Sequence, residues 1–184
     1  MSKKVYIFLA DGFEDIEGLT VVDLLRRAGV DIRTVSIKNT KEVQTAHGIC
    51  LLTDEVFGEV DFSDADMLVL PGGMPGTLHL GDCEGLKGFL MKAAEENGRI
   101  AAICAAPTVL GKLGLLNGRK AICYPGMEDG LTGAEVTVEP VVTDGNITTS
   151  RGLGTAIPFA LRLIEELSGK ETADRIAESV VYQA

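Results

Sequence analysis

The sequence predicts an α/β protein with a flavodoxin-like, doubly wound architecture, in which a mainly parallel sheet is covered by helices on both faces. Short apolar runs typical of buried strands alternate with longer segments whose apolar residues recur at helical spacing. Three of these runs end abruptly at turn-forming or small residues, namely 11–12, 71–73 and 104–106. Strands that alternate with helices are typical of parallel sheets, whose strands end at one common edge.

In the first half of the chain, apolar periodicity and turn signals define six segments. They are a strand over 4–10, a helix over 14–28, a strand over 30–37, a short antiparallel strand pair over 43–52, a strand over 66–70 and a helix over 84–97. The first helix is indicated by an apolar stripe that includes Ile16, Leu19 and Leu25. Gly29 and Gly98 are typical residues for ending the two helices.

The second half of the chain continues the same alternation. Its predicted segments are a strand over 99–103, a helix over 107–116, a strand over 120–124, strands over 135–142 and 147–150, and helices over 154–167 and 172–180. Pro107 suits the first turn of a helix, where a missing N–H does no harm. The Asp144-Gly145 pair indicates a β-hairpin between its flanking strands.

Length and composition indicate one globular domain spanning 1–184. The chain has 184 residues, of which 46% are hydrophobic, and this length is sufficient for a sizeable core. The net charge of −10 argues against nucleic acid and anionic membranes as partners. There is no apolar run of 18 residues, so no membrane span is expected. The first apolar run is too short for a signal peptide, and a cytoplasmic location is expected.

The cysteines and histidines do not form a metal-binding pattern. The four cysteines lack a C-x-x-C pair and zinc-site spacing, so free thiols in a reducing compartment are the simplest interpretation. His47 and His79 are far apart in the sequence, which argues against a histidine-rich metal site. We therefore expect no metal ion.

Cys104 is the candidate nucleophile because it lies between the predicted strand over 99–103 and the helix that begins near Pro107. This arrangement is that of a nucleophile elbow, in which free backbone N–H groups and the helix dipole favour a thiolate. We predict that Cys104 has a lower pKa than Cys50, Cys83 or Cys123. The alternative is that Cys104 is a buried cysteine acting as a small hydrophobic residue.

Two neighbouring loops offer groups that fit this thiol. The glycines Gly72 and Gly73 permit unusual dihedral angles, so their N–H groups and that of Ala105 are candidates for an oxyanion hole. The alternative for this loop is an ordinary tight turn.

Glu17 is the candidate acid, because it lies one turn inside the first helix among apolar neighbours. Partial burial would raise its pKa and allow it to hydrogen-bond a thiolate. The alternative is a solvated carboxylate that favours the helix N-terminus, and we prefer that interpretation for Glu14 and Asp15.

The chain lacks the histidine of a cysteine–histidine triad. No histidine follows Cys104, so the downstream H-x-E of class I glutamine amidotransferases is absent. The residue directly after Cys104 is Ala105, so the Cys-His dipeptide found in intracellular cysteine proteases is also absent. His47 and His79 remain possible contributors from loops or from a second subunit, although loop histidines are more often solvated.

Five segments of the sequence resemble the ThiJ/PfpI superfamily, in particular the branch of the parkinsonism-associated protein deglycase and its bacterial relatives. The similar segments, in family order, are 8–17 (FLADGFEDIE), 25–29 (LRRAG), 69–73 (VLPGG), 101–107 (AAICAAP) and 149–155 (TSRGLGT). The resemblance implies a flavodoxin-like fold, a homodimer and an enzyme without a cofactor.

The resemblance also implies roles for individual residues. It implies a reactive cysteine at Cys104, a protonated glutamate at Glu17 and backbone donors at Gly73 and Ala105, beside Gly72. It places Arg27 near a pocket through the dimer.

Three positions lining the expected pocket depart from the family. Tyr124 stands where some members have a histidine, Leu153 where a proline is frequent, and His47 where family members have an arginine facing the dimer. These departures leave the substrate open.

Two functions are compatible with these residues. The first is a cysteine enzyme acting on small reactive carbonyl compounds, by family resemblance either a glyoxalase that converts methylglyoxal to lactate or a deglycase of early glycation adducts, with a stress-protective role. The second is a redox-sensing or chaperone-like stress protein that signals through oxidation of Cys104.

Overall fold

The computed structural model describes residues 2–183, and its strands and helices alternate along the chain. The strands are β1 (Lys4–Leu9), β2 (Asp31–Ser36), β3 (Glu42–Gln44), β4 (Cys50–Leu52), β5 (Glu55–Val56), β6 (Met67–Leu70), β7 (Arg99–Ile103), β8 (Lys120–Ala121), β9 (Glu135–Val136), β10 (Val141–Asp144) and β11 (Ile147–Ser150). The helices are α1 (Asp15–Arg27), α2 (Gly76–Asp82), α3 (Glu84–Glu95), α4 (Pro107–Lys112), α5 (Ala156–Ser168) and α6 (Lys170–Ser179). None of the helices within these residues has the length and apolar composition needed to cross a membrane.

The central sheet has seven strands in the order β10-β11-β7-β6-β1-β2-β5. All neighbouring pairs are parallel except β10 and β11, which form the predicted antiparallel hairpin. The order β2-β1-β6-β7-β11 reproduces the flavodoxin-like order 2-1-3-4-5, so the predicted fold class is confirmed. In such sheets the chain order reverses between β1 and β6, and ligands bind at the carboxyl ends of the strands beside this point.

The hydrophobic core forms two layers, one on each face of this sheet. Alternate side chains of a strand point to opposite faces. In β1, Val5, Ile7 and Leu9 pack in the layer that contains the buried residues of α1 and α5. Tyr6 and Phe8 pack in the other layer, with apolar residues of α3 and α4. Helices therefore cover both faces, as predicted, and the strand ends are the part of the sheet left for a site.

Several predicted boundaries are wrong for identifiable physical reasons. Helix α4 ends at Lys112 rather than at 116, and Gly114 then turns the chain with a φ of 73°. The strand predicted over 120–124 pairs only at Lys120–Ala121. The strand predicted over 135–142 is split into β9 and β10, because Pro140 lies between them and has no N–H to donate.

Two elements have weak signals in the sequence. Helix α2 contains Gly76 and Gly81, and glycine is a poor helix former. Strand β5 has only two residues, too few to show a period.

Candidate functional site

The loops that follow β1, β6 and β7 meet at one edge of the sheet. The N–H of Glu14 donates to the carbonyl of Gly72 (2.9 Å), which joins the first loop to the second. A Cβ atom placed on Gly72 would lie 2.5 Å from Cys104 Cβ, which brings the third loop against the second. These contacts place Cys104, Glu17 and the two-glycine loop at the predicted edge.

Cys104 adopts the backbone conformation expected of a nucleophile elbow. Its φ is 65°, a left-handed conformation that costs a non-glycine residue about 1–2 kcal/mol. Its N–H donates to the carbonyl of Ser150 (2.9 Å), and its carbonyl accepts from the N–H of Tyr124 (2.7 Å). Because both backbone groups are paired, the strained conformation is held from two neighbouring segments, and the half-buried thiol is fixed in direction.

Two backbone groups affect the titration of the sulfur atom. Burial raises the pKa of Cys104, and the backbone groups of Ala105 and Gly73 oppose this rise because they favour the thiolate. Gly73 has a φ of 91°, and a Cβ atom on it would lie 2.2 Å from the N atom of Glu14. The second glycine of the loop is therefore required by both conformation and space.

Glu17 lies beside this thiol and is almost completely buried, with 1% of its surface exposed. Its Oε2 atom accepts a hydrogen bond from the N–H of Gly72 (3.0 Å). Its Oε1 atom has no hydrogen-bond partner among residues 2–183. A Cβ atom placed on Gly152 would lie 3.9 Å from both Cys104 Sγ and Glu17 Oε1, so the sulfur and the free oxygen face the same space. A carbon atom at that point would be in van der Waals contact with both side chains.

Burial, the charge of Glu14 and the charge of Glu17 determine the pKa values of Glu17 and Cys104. Burial raises the pKa of Glu17 from its ordinary value of 4.5 to about 7, and the charge of Glu14 adds to the shift. Burial, together with the ionised Glu17, raises the pKa of Cys104 to about 12. The prediction that Cys104 has a low pKa is therefore wrong, because burial and the charge of Glu17 outweigh its position before a helix. A proton on Glu17 removes the adjacent negative charge, so thiolate formation is favoured when Glu17 is protonated.

This coupling predicts a distinctive pH dependence of thiol alkylation. Because burial raises the pKa of Cys104, we expect iodoacetamide to label the exposed Cys50 before Cys104. The labelling of Cys104 relative to Cys50 should be highest near pH 6, where Glu17 is mainly protonated, and should fall above pH 7, where the ionised Glu17 opposes the thiolate. Peptide mapping after partial labelling at several pH values measures this ratio. A ratio of Cys104 to Cys50 labelling that does not fall between pH 6 and pH 8 contradicts the coupling between Glu17 and Cys104.

Tyr124 and Leu153 are the residues predicted to line the space above Cys104. Tyr124 follows the segment after β8, and a Cβ atom on Gly152 would lie 3.4 Å from its ring. Leu153 follows Gly152 in a short 3₁₀ turn, and both side chains are half exposed. Tyr124 therefore lies beside this space, whereas the pocket-lining role of Leu153 stays a prediction.

His47 lies in the turn between β3 and β4, beside the start of α1, and hydrogen-bonds Asp15 rather than Cys104. Its Nδ1 atom is 2.7 Å from Asp15 Oδ2 and 3.9 Å from Glu14 Oε1, and its side chain is 69% exposed. The bond to Asp15 raises the pKa of His47. The second histidine, His79, has its Nδ1 atom 2.9 Å from a backbone carbonyl.

The interpretation of Glu14 and Asp15 as solvated carboxylates is wrong. Asp15 is 5% exposed, and its Oδ1 atom accepts a hydrogen bond from Thr45 Oγ1 (2.6 Å). The hairpin of β3 and β4 covers this end of α1, with the N–H of Ala46 donating to the carbonyl of Phe13 (2.8 Å). Hydrogen-bonding atoms of Glu14, Asp15 and His47 lie within 4.8 Å of one another, and the Asp15–His47 hydrogen bond accounts for their proximity.

Arg27 lies at the opposite end of α1 from Glu17. Ten residues separate them, which is about 15 Å along a helix. The Nε atom of Arg27 is 2.7 Å from Asp23 Oδ2, and its side chain lines a surface groove with Leu19 and Ile157. Arg27 therefore does not enter the Cys104 site of its own chain.

Comparisons with known proteins are consistent with this geometry. A sequence profile of the DJ-1/PfpI family matches residues 3–166. Protein DJ-1 homolog B of Arabidopsis thaliana is 40% identical over 185 residues, which cover 99% of this chain and 42% of that protein. The chain thus spans less than half the length of that relative.

A second relative carries the name of an enzyme, and a solved structure matches the whole chain. The glutathione-independent glyoxalase DJR-1.2 of Caenorhabditis elegans is 32% identical over 165 residues, covering 89% of this chain and 87% of that protein. The structure of oxidized DJ-1 from Toxoplasma gondii is 36% identical and has a TM-score of 0.95, with 100% of both chains covered.

Proposed function

This chain belongs to the DJ-1/PfpI family, and from this premise we propose that it is a cofactor-independent cysteine enzyme acting on small reactive carbonyl compounds. The proposed reaction is the conversion of methylglyoxal to lactate without glutathione. The observation that carries the proposal is the shared space faced by Cys104 Sγ and the unpartnered Glu17 Oε1. The similarity to a glutathione-independent glyoxalase supports the same reaction.

The first proposed step is addition of the Cys104 sulfur to the aldehyde carbon, while the thiol proton passes to ionised Glu17. A carbon–sulfur bond forms, and the carbonyl electron pair moves to oxygen to give a hemithioacetal. We assign stabilisation of the developing oxyanion to the backbone groups of Gly73 and Ala105, which also favour the thiolate. Glu17, with its pKa raised to about 7, then returns the proton to this oxygen.

The following steps isomerise and release the product. Glu17, now ionised, removes the proton from the former aldehyde carbon, and a proton returns to the neighbouring carbon through an enediol. The carbon bound to sulfur becomes a thioester while the ketone becomes an alcohol, so no external oxidant is consumed. Water then cleaves the carbon–sulfur bond, giving lactate and the free thiol. Because one carboxyl group serves as both acid and base, we expect slow turnover.

Consumption of more than one equivalent of methylglyoxal per chain is the result that tests this proposal. The purified, reduced protein is incubated with methylglyoxal in the absence of glutathione and with a chelator present. Lactate should accumulate in proportion to the methylglyoxal lost. If consumption stops at one equivalent per chain, the thiol is merely being modified and the enzyme assignment fails.

Deglycation of early glycation adducts is a second substrate class proposed for the same site, with the same thiol addition to a carbonyl group.

Oxidation of Cys104 as a stress signal is the second candidate function. The backbone donors at Gly73 and Ala105 that would hold an oxyanion would also hold a sulfinate oxygen. Two molecules of hydrogen peroxide convert one thiol to a sulfinic acid and two molecules of water. The structural similarity to an oxidized DJ-1 supports this candidate. Stable sulfinate formation on a protein without carbonyl turnover would favour the sensor over the enzyme.

We also propose that the protein is a homodimer in the cytoplasm. The exposed apolar residues Leu19 and Ile157 lie in one groove with Arg27, on helices that pack against each other. An apolar patch of this kind favours burial against a second copy, and such a contact would bring Arg27 towards the partner. Cys50, Cys83, Cys104 and Cys123 are free, which suits a reducing compartment.

A further inference from the structure

A closed ring of three hydrogen bonds joins Glu14, Glu17 and Gly72. The N–H of Gly72 donates to Glu17 Oε2 (3.0 Å). The N–H of Glu17 donates to Glu14 Oε2 (2.8 Å). The N–H of Glu14 donates to the carbonyl of Gly72 (2.9 Å). Each residue both donates and accepts, so displacement of any one moves the other two.

The ring connects the acid of the site to the loop that supplies a backbone donor. Gly73 follows Gly72 directly, and its Cα packs so closely on Glu14 that an added Cβ would lie 2.2 Å from the Glu14 N atom. Within the ring, the Glu14 carboxylate belongs neither to the Cys104–Glu17 pair nor to the glycine loop. Its hydrogen bond with the Glu17 N–H sets where Glu17 lies relative to the loop, although no hydrogen bond joins the Glu14 side chain to Cys104.

The two oxygens of the Glu14 carboxylate have different neighbours. Oε2 accepts the bond from Glu17, while Oε1 faces His47 Nδ1 at 3.9 Å. Asp15 holds His47 at 2.7 Å, and Glu14 has a side chain that is 12% exposed. The charged or titratable groups that face Glu14 are thus Asp15 and Glu17 on its own helix and His47 on the neighbouring hairpin.

We propose that Glu14 is a positioning residue that holds Glu17 and the Gly72–Gly73 loop in register around Cys104, without touching the substrate. The inference rests on the proposed function, since it assigns a role within the same site. The sequence predicts a solvated Glu14, because no local signal indicates that the loop after β6 packs against the start of α1.

Two variants of Glu14 separate its geometry from its charge. In Glu14→Gln, the amide oxygen keeps the bond from the Glu17 N–H but the charge is lost. In Glu14→Ala, both are lost. The control pair is Glu84→Gln and Glu84→Ala, because Glu84 is an exposed glutamate in the first turn of α3 and accepts no capping hydrogen bond there.

We expect Glu14→Ala to lower kcat for methylglyoxal about tenfold with little change in KM, because Glu17 loses its register. Glu14→Gln should recover most of this loss. In its pH profile, the labelling of Cys104 relative to Cys50 should nevertheless begin to fall at a lower pH, because loss of the Glu14 charge lowers the pKa of Glu17 and the ionised Glu17 opposes the thiolate. Both Glu84 variants should leave kcat and the profile unchanged.

Three outcomes overturn the proposal. If Glu14→Ala lowers only the melting temperature, like a helix-cap variant, and leaves kcat and the alkylation profile unchanged, Glu14 is structural. If Glu14→Gln loses as much activity as Glu14→Ala, the hydrogen-bond ring is not what matters. If Glu14→Ala does not fold, Glu14→Met takes its place, because its side chain is of similar length but accepts no hydrogen bond from the Glu17 N–H; an unchanged kcat and an unchanged alkylation profile in Glu14→Met are decisive against the proposal. Alkylation requires no turnover, so failure of the methylglyoxal reaction in the unaltered protein is distinguishable from failure of the positioning role.

Discussion

Replacement of Cys104 by serine should abolish methylglyoxal consumption by the reduced protein. A serine hydroxyl is a far weaker acid than a thiol and needs a strong base to become a nucleophile. The site offers only Glu17, a carboxyl group whose pKa of about 7 makes it a weak base towards a hydroxyl. We therefore expect lactate formation to fall to the background rate, measured by an enzymatic lactate assay at neutral pH.

The exposed thiol Cys50 provides the control for this experiment. Cys50→Ser removes a thiol on the hairpin of β3 and β4 and should leave turnover unchanged. Mild peroxide should abolish turnover in the unaltered protein in step with sulfinate formation at Cys104, followed by mass spectrometry. Residual turnover in Cys104→Ser, or loss of turnover in Cys50→Ser, would move the reaction to another thiol.

The sequence was sufficient to predict the fold class and the position of Cys104 because both depend on local signals. Buried strands over 66–70 and 99–103 are short apolar runs that end in Pro-Gly-Gly and in a cysteine followed by small residues. Parallel strands end at the same edge, so the loops after them had to meet. This topological rule brings Gly72 near Cys104 in the prediction, and the structure places them in contact.

The surroundings of the first helix could not be predicted in the same way. Asp15 is buried because Thr45 and His47 arrive from a hairpin some thirty residues later in the chain. No periodicity in the sequence reports a contact of that range. The raised pKa of Cys104 could not be predicted for a related reason. The local position of Cys104 favours a thiolate, whereas its pKa is raised by burial and by the charge of Glu17, which lies far away in the sequence.

Substitution of Glu17 should separate thiol reactivity from turnover. In Glu17→Gln, the amide can donate a hydrogen bond but cannot release and regain a proton, so we expect methylglyoxal turnover to fall about a hundredfold. Alkylation of Cys104 at pH 8 should become faster, because the negative charge that raises its pKa is gone. Glu17→Asp shortens the side chain and loses the bond from the Gly72 N–H, so its turnover should fall as well.

Unchanged turnover in both Glu17 variants would make the residue structural. Glu84→Gln, on the exposed first turn of α3, controls for the loss of a carboxylate as such. A slower rather than faster alkylation of Glu17→Gln at pH 8 would show that the ionised carboxylate does not oppose the thiolate. The two measurements together therefore test the acid–base role and the electrostatic role of Glu17 independently.

The same Glu17 variant has a predictable effect on folding stability. Glu17 titrates at about 7 in the folded chain, against an ordinary value of 4.5, so between these pH values the folded state binds more protons than the unfolded state. The free energy of unfolding must therefore fall as pH rises from 4.5 to 7, by about 3 kcal/mol from this group. Glu17→Gln lacks this loss, so its stability relative to the unaltered protein should increase across this pH range. Urea unfolding of both proteins at pH 4.5 and pH 8 measures the difference, and equal pH dependence in the two would contradict the raised pKa of Glu17.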